Sequence, residues 1–137
     1  MKKLLILLFS VGLLITTPAK AETVLYCSSE LVTGFYNEGG NWKVSGFEPM
    51  RLTMEFEDDF SRVRLLGEIF SCFDGGEFKT YHPIICKDVK PYHSWTLNID
   101  KKSLRYVYTQ ISIGGYASTL RNSSDGDGIY AGTCEKF

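Results

Sequence analysis

Met50-Arg51-Leu52-Thr53-Met54-Glu55-Phe56-Glu57 alternates apolar and polar side chains without interruption. A period of two puts Met50, Leu52, Met54 and Phe56 on one side of an extended chain and the polar residues on the other, as in a strand with one buried and one wet face. Trp95-Thr96-Leu97-Asn98-Ile99-Asp100 repeats the pattern. The polar turn Asp100-Lys101-Lys102-Ser103 then leads into Leu104 to Ile111, rich in Tyr, Val and Thr, so Trp95 to Ile111 reads as a hairpin. Between the two alternating stretches, Arg62 to Phe70 reads as a single strand. Val63, Leu65 and Ile69 share its inner face with Gly67, a bulge or bend, while Arg62, Arg64 and Glu68 face out.

Turn-forming clusters recur at Asn37-Glu38-Gly39-Gly40-Asn41, Glu57-Asp58-Asp59, Asp74-Gly75-Gly76, Gly114-Gly115 and Asp125-Gly126-Asp127-Gly128, a spacing that suits an antiparallel meander. Strands are expected near 23–29, 31–37, 41–47, 50–57, 62–71, 83–87, 94–100, 104–112 and 129–136, one or two of them irregular. No segment carries a sustained 3.6-residue stripe, although a short helix near Leu120 is open. The fold class is therefore all-β. A meander of seven to eight regular strands would leave one sheet face bare unless it closed into a small barrel or folded over as a sandwich.

The chain of 137 residues begins with Met1-Lys2-Lys3, an apolar run from Leu4 to Ile15 and Ala19-Lys20-Ala21, the layout of a secretory leader cleaved after Ala21. The run would span only about 18 Å as a helix, short of the ~30 Å membrane core. Residues 1–21 are thus read as a signal peptide and 22–137 as one domain, periplasmic or secreted. Val24-Leu25-Tyr26 before Cys27 is no lipidation signal, so no stable membrane anchor is expected. Loss of the leader removes Lys2, Lys3 and Lys20 but no acid, leaving 12 basic against 16 acidic residues. With only the pairs Arg62/Arg64 and Lys101/Lys102, the basic footprint that nucleic acid demands is missing.

Cys27, Cys72, Cys86 and Cys134 are an even set in a small exported chain, which argues for two disulfides. Three pairings are open. If the sheet closes, the first and last strands become neighbours, Cys27 can meet Cys134, and Cys72 is left for Cys86. His82 and His93 bracket Cys86, but without C-x-x-C or H-x-x-x-H spacing they do not read as a metal site. Gly126-Asp127-Gly128-Ile129-Tyr130-Ala131 has the outline of a dinucleotide loop yet precedes a strand rather than opening a helix. Ile129 also stands where a calcium loop starting at Asp125 needs an oxygen ligand. No metal and no cofactor is expected. Asn122-Ser123-Ser124 has the form of a glycosylation sequon.

No G-x-S-x-G stretch is present, and no catalytic residue is assigned. His82 and His93, each near a proline, read as loop histidines; the enzyme alternative is a small hydrolase that uses one of them with a carboxylate. Glu55/Glu57 share a wet strand face and Asp58/Asp59 a turn, which gives no sign of an acid pair across a cleft. Aromatic residues are abundant, with nine Phe, eight Tyr and two Trp. A domain this small cannot bury them all, so Tyr36, Trp42, Tyr81, Tyr92, Trp95, Tyr106, Tyr108 and Tyr116 are the candidates for a contact surface or cavity lining.

Tyr26-Cys27-Ser28-Ser29-Glu30, Thr33-Gly34-Phe35, Phe47-Glu48-Pro49-Met50-Arg51 and Gly132-Thr133-Cys134-Glu135-Lys136-Phe137 resemble a group of small exported proteobacterial proteins of unknown function. The resemblance implies a Gram-negative source and a periplasmic or secreted address. In topology the chain is also similar to periplasmic lysozyme inhibitors, which set an early Tyr-x-Cys-type strand against a late cysteine, though it lacks their Ser-Gly inhibitory loop. The expected function is non-enzymatic binding of a small apolar ligand or a protein partner, with a structural envelope role as the third class.

Overall fold

The computed structural model describes residues 22–88, 90, 93–112 and 126–137. The leader, Tyr92, Tyr116, Gly114-Gly115, the sequon, Asp125 and the Leu120 region lie outside them, and for His93 only the backbone is described. The described chain is all β: β1 (Thr23–Glu38), β2 (Asn41–Ser45), β3 (Arg51–Phe56), β4 (Arg62–Leu65), β5 (Glu68–Asp74), β6 (Pro83–Asp88), β7 (His93–Asp100), β8 (Arg105–Ser112) and β9 (Asp127–Lys136). All pairings are antiparallel, and β1 pairs with β9, so eight strands close into a barrel while β2 extends from the far half of β1. Closure removes sheet edges and settles the choice between barrel and sandwich.

The alternation at Met50–Glu57 does what its period requires. Leu52, Met54 and Phe56 point inward and are buried, while Arg51 and Thr53 point to solvent. The Trp95–Ile111 hairpin also forms, with Leu97 opposite Tyr108. Its turn is held by Asp100, which accepts hydrogen bonds from the amides of Lys102 and Ser103 and from the Ser103 hydroxyl.

Three expectations need correction. Residues 23–29 and 31–37 form one long strand, bent by a register shift against β9 between Ser29 and Leu31. There Ser29, buried, is fully engaged: its hydroxyl accepts from the Met50 amide at 2.6 Å and donates to the Met50 carbonyl at 3.2 Å. Arg62 to Phe70 is two strands, because Leu66 (φ 53°) and Gly67 (φ 80°) make a two-residue turn with both φ positive, the geometry that fits the twist of a tight hairpin. The reversal changes which parity points inward: Phe70 is buried beside Val63, and Ile69 faces out. His93 opens β7 and is not in a loop.

Both disulfides lie directly across strand pairs. Cys27–Cys134 joins β1 to β9 at the seam and Cys72–Cys86 joins β5 to β6. The seam is tight: a Cβ on Gly132 would fall 1.9 Å from the Ser28 carbonyl oxygen, so only glycine lets the strands meet there. The barrel interior is filled by side chains, among them Leu25, Met54, Phe56, Phe70, Ile84, Leu97 and Tyr108.

Candidate binding surfaces

Two regions of the barrel present chemistry that packing alone does not require. The first is the outer face of β2, β1, β9 and β8, where cross-strand registers line up three rows. Val44 lies opposite Phe35, which lies opposite Asp127; Thr33, Ile129 and Thr109 form the next row; Leu31, Ala131 and Val107 form the third. The bend after Ser29 turns Leu31, Thr33 and Phe35 outward, since it shifts the parity of β1. Leu31 is 73% and Val44 72% exposed, with Phe35, Val107, Ile111 and Ile129 also exposed. No Lys or Arg occupies these rows. Phe35, Ile111, Ile129, Thr33, Asp127 and the backbone at Gly34 and Gly128 bound an apolar groove of about 370 Å³.

The second region is the barrel mouth, built from inward-facing residues at strand ends. Leu25 and Ile99, both buried, form its floor, and Thr23, Phe60, Leu104, Lys101 and Lys136 surround a pocket of about 160 Å³. Phe60 (φ 55°) and Leu104 (φ 55°) both take the left-handed backbone conformation, which costs a bulky residue about 1–2 kcal/mol. Their turns hold them there, with the Phe60 amide donating to the Glu57 carbonyl and the Leu104 amide to the Asp100 carbonyl. The Lys101 ammonium lies 4.3 Å from the Phe60 ring centre and 3.3 Å from Asp74. Lys136 pairs in register with Leu25 and has no acidic partner among the described residues.

His82 Nε2 sits 2.8 Å from both Asp74 oxygens. The Gly76 amide and His82 are the main groups that pull the Asp74 carboxyl from its ordinary 3.8 down to about 2, with Lys101 adding to them against a small desolvation cost. Asp100 is also held well below the carboxylate range, by the Ser103 hydroxyl and the His82 amide first. These acids are bound up in turns. His82 thus has the carboxylate partner that the hydrolase alternative named, in a pair that braces the loop before β6; no hydroxyl is hydrogen-bonded to its ring among the described residues. Glu55 and Glu57 face Arg64 and Arg62 on the outer wall.

The described aromatic candidates do not converge on one surface. Tyr106 and Tyr108 are core, and burial raises the pKa of both phenols. Trp95 packs edge-on against Tyr108. Tyr36 and Trp42 are half-buried near the β1–β2 turn, and Tyr81 stacks on Phe78, ring centres 4.4 Å apart, in the loop before β6. The outer-face residues Leu31, Phe35, Val44, Val107, Ile111 and Ile129 escaped the sequence reading. The one signal they leave is that Tyr106 to Tyr108 and Ile129 to Ala131 are apolar in succession.

No family model, curated protein or solved structure matches the chain.

Proposed function

We propose that this protein is a non-enzymatic binding module that docks a protein partner on the outer face of β2, β1, β9 and β8. One observation carries the reading: the rows through Phe35, Ile129 and Leu31 set exposed apolar side chains side by side, with Thr33, Thr109 and Asp127 among them, on a face that the packed interior has no use for. Surfaces of this kind mark interaction sites in proteins with their own filled core. The filled interior favours the protein-partner form of the expectation over the other form, a small apolar ligand held inside the barrel. The two disulfides fit work in an oxidising compartment outside the cytoplasm, after removal of residues 1–21. Among the described residues no helix is long and apolar enough to cross a membrane.

Site-specific photo-crosslinking tests the reading. A benzophenone side chain at position 31 or 129, in the protein expressed by its natural host, should give a discrete adduct with one partner protein. The same group at position 64, on the charged wall, should give none, and Leu31 adducts should disappear in an Ile129→Lys background. Equal adduct patterns from positions 31, 64 and 129, or none at 31 and 129, would overturn the proposal.

A further inference from the structure

We infer that the barrel mouth is a second, separate binding site, which takes a small apolar carboxylate with its hydrocarbon body on Leu25 and Ile99 and its charge at Lys136. The inference does not rest on the outer face. Three features of the mouth converge on it.

Size comes first. The pocket of about 160 Å³ matches cavities of about 150 Å³ that hold a benzene ring against Leu, Ile and Phe, so the body it fits is one six-membered ring or a chain of similar bulk. Polarity comes second. Among the described residues its apolar lining is Leu25, Ile99, Leu104 and Phe60, and its charged lining groups are the ammoniums of Lys101 and Lys136. Asp74 already engages Lys101, whereas Lys136 stands on the inward parity of β9 and pairs with no acid among the described residues. An apolar floor under a cation that no described acid pairs selects an amphipathic anion over a neutral molecule or a cation.

Backbone geometry comes third. Of the three described non-glycine residues with positive φ, Leu66 serves the β4–β5 turn, and the other two, Phe60 and Leu104, both line this pocket. Glycine would satisfy either turn at lower cost. Bulky apolar residues in that conformation supply walls for the pocket, the clustering expected where strain serves a site.

Proton–nitrogen correlation spectra of the full domain, titrated with phenylacetate and with its neutral analogue 2-phenylethanol, test the site. Phenylacetate should shift the amides of Thr23, Phe60, Leu104 and Lys136 and bind roughly five- to tenfold more tightly than the alcohol, the gain of one charge-assisted contact at a half-open site. Added salt should close that gap. Lys136→Met should close it as well while leaving the alcohol's shifts in place, and Lys136→Arg should restore it. The Ile129→Lys variant should respond like the parent, so failure of the outer-face reading leaves this result untouched. No shift at the mouth with either probe, equal affinity for acid and alcohol, or shifts confined to β8 and β9 would each overturn the inference.

Discussion

The two walls of the barrel share one core but show different outer faces. In β3 and β4 the inner face is wholly apolar, with Leu52, Met54, Phe56, Val63 and Leu65 buried, and the outer face is charged, with Arg64 3.2 Å from Glu55 and Arg62 3.6 Å from Glu57. In β1, β8 and β9 the inner face carries Ser29, Tyr106, Tyr108 and Tyr130, and the outer face carries Leu31, Phe35, Val107, Ile111 and Ile129. Folding explains the first wall completely, since burial of its inner face stabilises the barrel and its outer charges keep it solvated. The second wall also buries apolar groups, Leu25, Cys27 and Cys134 among them, but it adds hydroxyls to its inner face and apolar side chains to its outer one, so that outer face answers to something other than the core.

The largest effect should appear when the seam wall loses its disulfide, set against loss of the bridge between β5 and β6, outside both walls. Cys27–Cys134 spans 107 residues and Cys72–Cys86 only 14. In the chain-entropy account the seam bridge is worth about 4.7 kcal/mol and the β5–β6 bridge about 3 kcal/mol. Urea denaturation of Cys27→Ala/Cys134→Ala against Cys72→Ala/Cys86→Ala should therefore rank the seam variant lower. Equal losses would mean that the β1–β9 seam gains no more from its cross-link than the β5–β6 pair does.

The charged wall was legible in the sequence because its two faces differ. The period of two at Met50–Glu57 names the buried residues directly, and the 95–111 hairpin follows from alternation plus an Asp-led turn. The seam wall was not legible for the converse reason. Tyr106, Val107 and Tyr108 are apolar in succession, so no parity separates the buried tyrosines from the exposed valine, and the shortlist of surface aromatics took in two core residues. Closure itself leaves no local trace, because Cys27 and Cys134 meet across almost the whole chain. The β4–β5 turn was missed because Leu66, and not Asn or Asp, occupies its first φ-positive position. The mouth could not be seen either: Thr23, Phe60, Leu104 and Lys136 come together only when the ends of β1, β3, β7 and β9 do.

Inside the seam wall the tyrosines give a second, smaller test. Tyr108 is fully buried between Tyr130, Phe70 and Trp95, and its hydroxyl has no hydrogen-bond partner among the described residues. Tyr108→Phe removes a desolvated polar atom while keeping the ring, so it should raise stability by up to about 1 kcal/mol. Burial first, and then Tyr130, Asp88 and Glu68, push the Tyr108 pKa well above 10.0. A group raised in the folded state contributes fully below its unfolded pKa and loses that contribution as the pH climbs toward the folded value. Melts taken above about pH 10 should thus favour the Phe variant further. A loss of more than 1 kcal/mol at neutral pH would show that the hydroxyl is anchored and that the inner face of this wall is a polar network.

The smallest effect belongs to the joint between the walls at the mouth, where Asp74 at the end of β5 braces His82 and Lys101. Its carboxyl is lowered from 3.8 to about 2, chiefly by the Gly76 amide and His82. A lowered acid stabilises the fold above its unfolded pKa, and the contribution fades as the pH falls from about 4 toward 2. The brace is exposed, so the difference between wild type and Asp74→Asn should be small at pH 6 and should vanish at pH 2. Thermal melts across that range check it, with the charged pairs Glu55–Arg64 and Glu57–Arg62 present in both proteins as a common background. A gap that widens toward low pH would reverse the sign of the linkage and show that the neutral acid is what the joint prefers. In that case the mouth would be fastened by its apolar turns, Phe60 and Leu104, with the ion pairs contributing nothing to it.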